Sequence, residues 1–188
     1  MLTQDGPTAM TLPGILVDAT LVGSSGFRAE TGKSVTLSLE TYGDDWSPAS
    51  GEDRGQPVVA LPGSGAEPTE LLLTGVVLPF VRPCPLGGWV LDVDGVPIHV
   101  ATSHPDSPPA AGQWVRFRGT VSVADGYVED EVQGALRRPM ARPWLVQRIV
   151  RLKPLTGGGR RLVRPETVTS IRNIADSSSH LIDLRAPA

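Results

Sequence analysis

The chain has 188 residues, 40% of them apolar, which suffices for one domain with a real core or for two small barrels. Gly (21) and Pro (18) are abundant and aromatics make up only 5%, a composition that disfavours long helices. No run approaches the roughly 18 apolar residues of a membrane span, the first residues, "MLTQDGPTAM", lack a secretory pattern, and the single Cys84 excludes an intrachain disulfide.

These features lead us to expect a cytoplasmic protein. Lys33 and Lys153 are the only lysines among 17 basic residues, a bias that fits a GC-rich bacterial genome. The net charge of -3 conceals a division. Residues 1–136 carry 6 basic and 17 acidic side chains, residues 137–188 carry 11 and 3, so the chain is dipolar along its sequence. The basic part can be a phosphate-binding face, a dock for an acidic partner, or a patch that neutralises the acidic half within the fold.

In chain order, residues 1–10 read as a disordered N-terminus. "GILVDATLV" (Gly14 to Val22) is short, apolar and β-branched, and reads as a strand. Val35, Leu37 and Leu39 then alternate with polar residues, as in a strand with one buried face. Together they predict a β-hairpin annex over 11–42.

The turn between them, "ETGKS", resembles the end of a phosphate-binding P-loop. That motif needs a glycine five residues before Gly32, where this chain has Phe27, and a helix afterwards, where this chain has a strand pattern. It therefore reads as a turn, with Gly32 at positive φ and Lys33 solvated. Residues 43–70, rich in Gly, Pro, Ser and acid, predict a loop or linker interrupted by a short strand at "PVVAL" (Pro57 to Leu61).

The next stretch is more regular. "ELLLTGVVLPFVR" is a long strand broken by Gly75 and Pro79. "WVLDVDGVPIHVATS" is two strands joined at Asp94-Gly95, a strong hairpin signal. After the Pro-rich "HPDSPPAAG" comes "QWVRFRGTVSVA", with Val115, Phe117, Val121 and Val123 on one face and Trp114, Arg116 and Arg118 on the other. A further loop leads to a fifth strand, Pro143 to Pro154. The segments beyond it, "LTGGGRR", "RPETVTSIRNI" and "HLIDLR", form a basic C-terminal extension over 154–188 that packs on the annex.

Thr74 to Val77, the hairpin Trp89 to Val100, and Gly112 to Val123 resemble the strands of the OB-fold, a five-stranded Greek-key barrel that commonly binds oligonucleotides or oligosaccharides. The expected fold is all-β, an OB-fold-like barrel over 71–153 with a β-rich annex. One departure from the family is that "SHPDSPPAAG" cannot form the helix often found between the third and fourth strands.

The resemblance implies a ligand surface flanked by the loops after the first and fourth strands. These offer Phe80 and Arg82 from one, and Tyr127, Arg137, Arg138 and Arg142 from the other, the second also carrying Glu129, Asp130 and Glu131. Trp114, Arg116 and Arg118 would add a cationic stripe with a stacking indole, suited to a single-stranded nucleic acid. Alternatively those arginines pair with acids such as Asp92 and Asp94, and the barrel serves as a protein-interaction or assembly module.

Enzymatic signals are weak. His99, His104 and Cys84 have no recognised metal-ligand spacing, and Ser177 to Ser179 with His180 and Asp183 are too crowded to suggest a triad. A non-catalytic binding protein without cofactor or metal is expected.

Overall fold

The structure, a computed structural model, describes residues 9–63, 65–103, 108–154, 163–172 and 178–187. In chain order the elements are β1 (Thr11–Val17), α1 (Ala19–Ser24), β2 (Ala29–Glu30), β3 (Ser34–Leu37), β4 (Leu39–Tyr42), β5 (Trp46–Pro48) and β6 (Val58–Ala60). There follow β7 (Glu70–Leu78), β8 (Trp89–Val93), β9 (Val96–Ala101), β10 (Trp114–Val123), α2 (Gly126–Leu136) and β11 (Arg142–Pro154). The last are β12 (Val163–Val168), β13 (Ser170–Ile171) and β14 (Ser179–Arg185). Neither helix is long and apolar enough to cross a membrane.

A closed five-stranded mixed barrel forms the centre, with further strands outside the ring. Its order is β7-β8-β9-β4-β10 and back to β7; every pairing is antiparallel except β4 with β9, where Leu39 lies opposite Ile98. The β8–β9 hairpin turns at Asp94-Gly95 as its sequence predicts, with positive φ at both residues (50° and 85°) and the Gly95 amide donating to Asp92 Oδ1 at 2.7 Å.

The expected fifth strand, Pro143 to Pro154, is not in the ring. Its place is taken by β4, which precedes β7 in the chain. After β10 the chain enters α2 instead of returning along the ring, so β11 emerges outside and pairs with β3, β12 and β14.

Helix α2 occupies what reads in the sequence as a loop. Asp125 caps it, accepting from the Val128 amide at 2.8 Å, and Val128, Val132 and Leu136 recur every fourth residue to give an apolar face. The strand expected from Gly14 to Val22 is likewise cut short at Val17. Asp18 accepts from the Thr20 amide at 2.8 Å and starts the short helix α1.

The N-terminal strands do not form a hairpin with each other. β1 lies between β14 and β10, β3 pairs with β11, and β4 joins the ring. Gly32 does sit in a turn, with φ of 80° and a Lys33 amide bond to the Glu30 carbonyl at 3.0 Å. The strands flanking it, however, belong to different sheets: β2 pairs with β13.

Strand alternation fails at Leu37, Ser38 and Leu39, which are all buried, because there the chain passes from the outer sheet into the ring and both its faces are covered. A path from β10 through β1, β14, β11 and β3 therefore continues through Ser38 into β4 and returns to β10. The annex thus closes on the ring. One apolar cluster runs through both, joining Leu12, Ile15, Val146, Ile149 and Ile182 of the annex to Leu73, Trp89, Ile98 and Phe117 of the ring.

The stretch read as a loop or linker is tied to the barrel by two short strands. β6, the strand expected at Pro57 to Leu61, pairs with β7, and β5 pairs with β10 opposite Val115 to Phe117. Both are short edge strands, where Pro48 is tolerated and Pro57 can precede the pairing. The segment "LTGGGRR" and residues 1–8 of the N-terminus read as disordered lie outside the described residues.

Candidate anion-binding site

The stripe Trp114, Arg116 and Arg118 exists, since Val115 and Phe117 point inward and are fully buried. Its charge is already matched. Arg118 donates through Nε and Nη2 to the two oxygens of Glu70 at 2.9 and 2.8 Å, and Arg116 Nη1 lies 2.9 Å from Asp53 Oδ1. The Arg54 guanidinium lies 4.8 Å from the centre of the Trp114 ring.

The hydrogen bond from Arg118 holds the Glu70 carboxyl below its ordinary range, and Glu70 in turn raises Arg118. The partners are Asp53 and Glu70, from the stretch read as a linker, and not Asp92 or Asp94. Glu52 lines the same hollow as Asp53 and Arg116, and Asp45 also acts on Arg118, so an approaching polyanion meets four acids against Arg54, Arg116 and Arg118.

The outer face of β8 and β9 is covered from within the chain. In OB-like barrels the second and third strands form the ligand surface together with the neighbouring loops. Here Val90 of β8 packs under Val132, Leu136 and Met140, and Phe80, Cys84 and Leu86 from the 79–88 loop join them. Phe80 is thus part of an apolar seal and not a stacking platform.

His99 lies on the same face, 2% exposed, with Nε2 at 3.2 Å from the Gly87 carbonyl. Burial lowers its pKa below the ordinary 6.5, against the opposing effect of that hydrogen bond. The unfolded state therefore binds more protons between the lowered value and about 6.5, and stability falls as pH drops through that window. Urea midpoints measured from about pH 7.5 down to about pH 5 should decline in the native protein and decline less steeply in His99→Gln. Equal slopes would show that His99 is not buried in the neutral form.

Helix and loop meet around a depression of about 440 Å³ lined by Arg82, Asp130, Gln133, Gly134, Arg137, Arg138 and Pro139. Its construction is local. The amides of Val81 and Arg82 donate to the Ala135 carbonyl at 2.9 and 3.3 Å, pinning the loop to the last turn of α2. Gly134 makes room for Arg82, since a Cβ there would lie 2.3 Å from Arg82 Nη2. Arg137 ends the helix in the left-handed conformation, at φ 55°.

Arg138 Nη2 is held at 2.6 Å by Asp92 Oδ2, whereas Arg82 and Arg137 make no ion pair among the described residues. The negative end of the helix dipole accounts for cations at this position. Guanidinium groups converging on one hollow also suit a bidentate carboxylate or phosphate.

Of the nine residues expected at a site, Arg82, Arg137 and Arg138 thus come together. Phe80 lies in the seal beside them, and Trp114, Arg116 and Arg118 stand on a separate strand face. Tyr127 is exposed at the opposite end of α2, about 15 Å away along the helix axis. Arg142 donates to the Gly95 and Ala141 carbonyls and belongs to another cavity.

Gln133 and Gly134 were not foreseen, and Asp130 was read only as part of an acidic loop. The cap at Asp125 followed by Val128, Val132 and Leu136 is the signal that would have put them on a helix. Among the described residues no group of three His, Cys, Asp or Glu side chains could hold a metal ion. Cys84 is half-buried in the apolar seal.

No known protein family, curated protein or solved structure matches this chain.

Proposed function

We propose that this protein is a non-catalytic, OB-like barrel that works as a protein-interaction module, taking an acidic segment of a partner protein into the Arg82, Arg137 and Arg138 depression. The observation that carries this reading is the convergence of three guanidinium groups, two of them without an acidic partner among the described residues. Single-stranded nucleic acid requires a track of several phosphate contacts and open stacking surfaces. Trp114 lies under Arg54, and Arg116 and Arg118 are held by acids, which favours a compact acidic group over a polynucleotide.

Fluorescence polarisation with a labelled Asp/Glu-rich peptide and a labelled single-stranded oligonucleotide, at low and near-physiological salt, tests the proposal. The peptide should bind in a salt-sensitive manner, and Arg82→Ala/Arg137→Ala should weaken it by about tenfold or more. Gly134→Ala, which pushes Arg82 off the helix, should reproduce part of that loss. Oligonucleotide binding that depends on Trp114 would restore the nucleic-acid reading and sink this one. Peptide binding unchanged in the double variant would also sink it.

A further inference from the structure

A second cavity, of about 420 Å³, lies where the tip of the β8–β9 hairpin meets the start of β11 and the ends of β1 and β14. Met10, Val96, Pro143, Trp144 and Ala186 supply apolar walls, with Asp94 and Arg142 as the charged residues. It shares no lining residue with the three-arginine depression. A neighbouring hollow of about 600 Å³ shares Ala9, Met10 and Asp94 with it.

The guanidinium of Arg142 is fixed by two carbonyls. Nε donates to Gly95 and Nη1 to Ala141, each at 3.3 Å, and no carboxylate pairs with it among the described residues. Arg116, Arg118, Arg138, Arg148 and Arg172, by contrast, each have an acidic partner. Carbonyls orient a guanidinium but leave its positive charge uncompensated. Trp144 belongs to the apolar core cluster and is 1% exposed, so its ring is a fixed part of the apolar wall.

A concave apolar hollow of this volume with a few fixed polar groups is the usual form of a small-ligand site. We infer that the cavity binds an apolar carboxylate, with its hydrocarbon part against Met10, Val96 and Trp144 and its carboxylate on Arg142. Asp94 in the same lining disfavours a second negative charge, which selects a monoanion over a phosphate or a dicarboxylate. A free aryl or alkyl acid and the apolar C-terminal residue of a peptide share this chemistry.

The test is saturation-transfer NMR on the full chain with 3-phenylpropionate, 3-phenylpropionamide, and acetyl-Gly-Gly-Phe as free acid and as C-terminal amide. At least one acid should bind, about tenfold or more tighter than its amide. Binding of the free acid alone points to a small molecule, and binding of the peptide alone to a chain terminus. Arg142→Gln should abolish the preference for acid. Ala186→Trp fills the cavity while keeping the backbone bond from the Ala186 amide to the Met10 carbonyl (2.8 Å), and should remove binding altogether. The inference is overturned by no transfer from either acid at about 1 mM, by equal binding of acid and amide, by an acid preference that survives in Arg142→Gln, or by binding that survives in Ala186→Trp.

Discussion

Replacing Gly75 by alanine should cost about 3 kcal/mol or more of folding stability, at the top of the range for overpacking. A Cβ at this position would lie 2.2 Å from the Asp92 carbonyl oxygen and 2.8 Å from its carbon. No side chain can swing aside there, because the obstruction is the backbone of β8, paired to β7 through Val76 and Asp92. Relief requires β7 and β8 to separate at this point. A loss below about 1 kcal/mol in urea unfolding would mean that the strands do not approach as described. Gly51→Ala is the control: nothing lies within 4 Å of its added Cβ, and the change should stay within about 0.5 kcal/mol.

Phe117→Ala should cost about 3–5 kcal/mol, the usual range for removing a buried ring. Phe117 is fully buried, meets Trp89 edge-on with ring centres 6.0 Å apart and planes at 77°, and lies under Gly43 and Gly119. On that side neither glycine has a side chain to fill the space the ring vacates. Phe117 also belongs to the apolar cluster shared by ring and annex, so the loss should lower the midpoint of a single transition. Two separated transitions in the variant would show instead that ring and annex unfold independently.

The all-β class and most strands could be read locally, because alternation and turn chemistry are properties of neighbouring residues. The Asp94-Gly95 hairpin and β10 are examples. The identity of the fifth ring strand could not be read this way. Leu39 pairs with Ile98 across nearly sixty residues, and the pattern around Leu39 says that it is a strand without saying which strand it joins. For the same reason the neutralising partners of Arg116 and Arg118 were missed, since Asp53 and Glu70 are brought to β10 only by the edge strands and β7.

The charge division along the chain was legible, but its outcome was not. Arg138 with Asp92 and Arg172 with Glu30 join the basic part to the acidic part within the fold. The candidate site was half legible. Its arginines stood out by type, whereas the hollow between them depends on Gly134 and on a helix whose run Glu129 to Glu131 reads as a solvated loop.

The position of β14 has a consequence for the order of assembly. This strand lies between β1 and β11, pairing Ile182 with Ile15 on one side and with Ile149 on the other. Until it docks, each neighbour presents an open, apolar hydrogen-bonding edge. The folding chain must hold that slot vacant until the strand arrives, and any intruding strand would compete for it. Loss to aggregation should therefore be concentrated in intermediates that still lack β14.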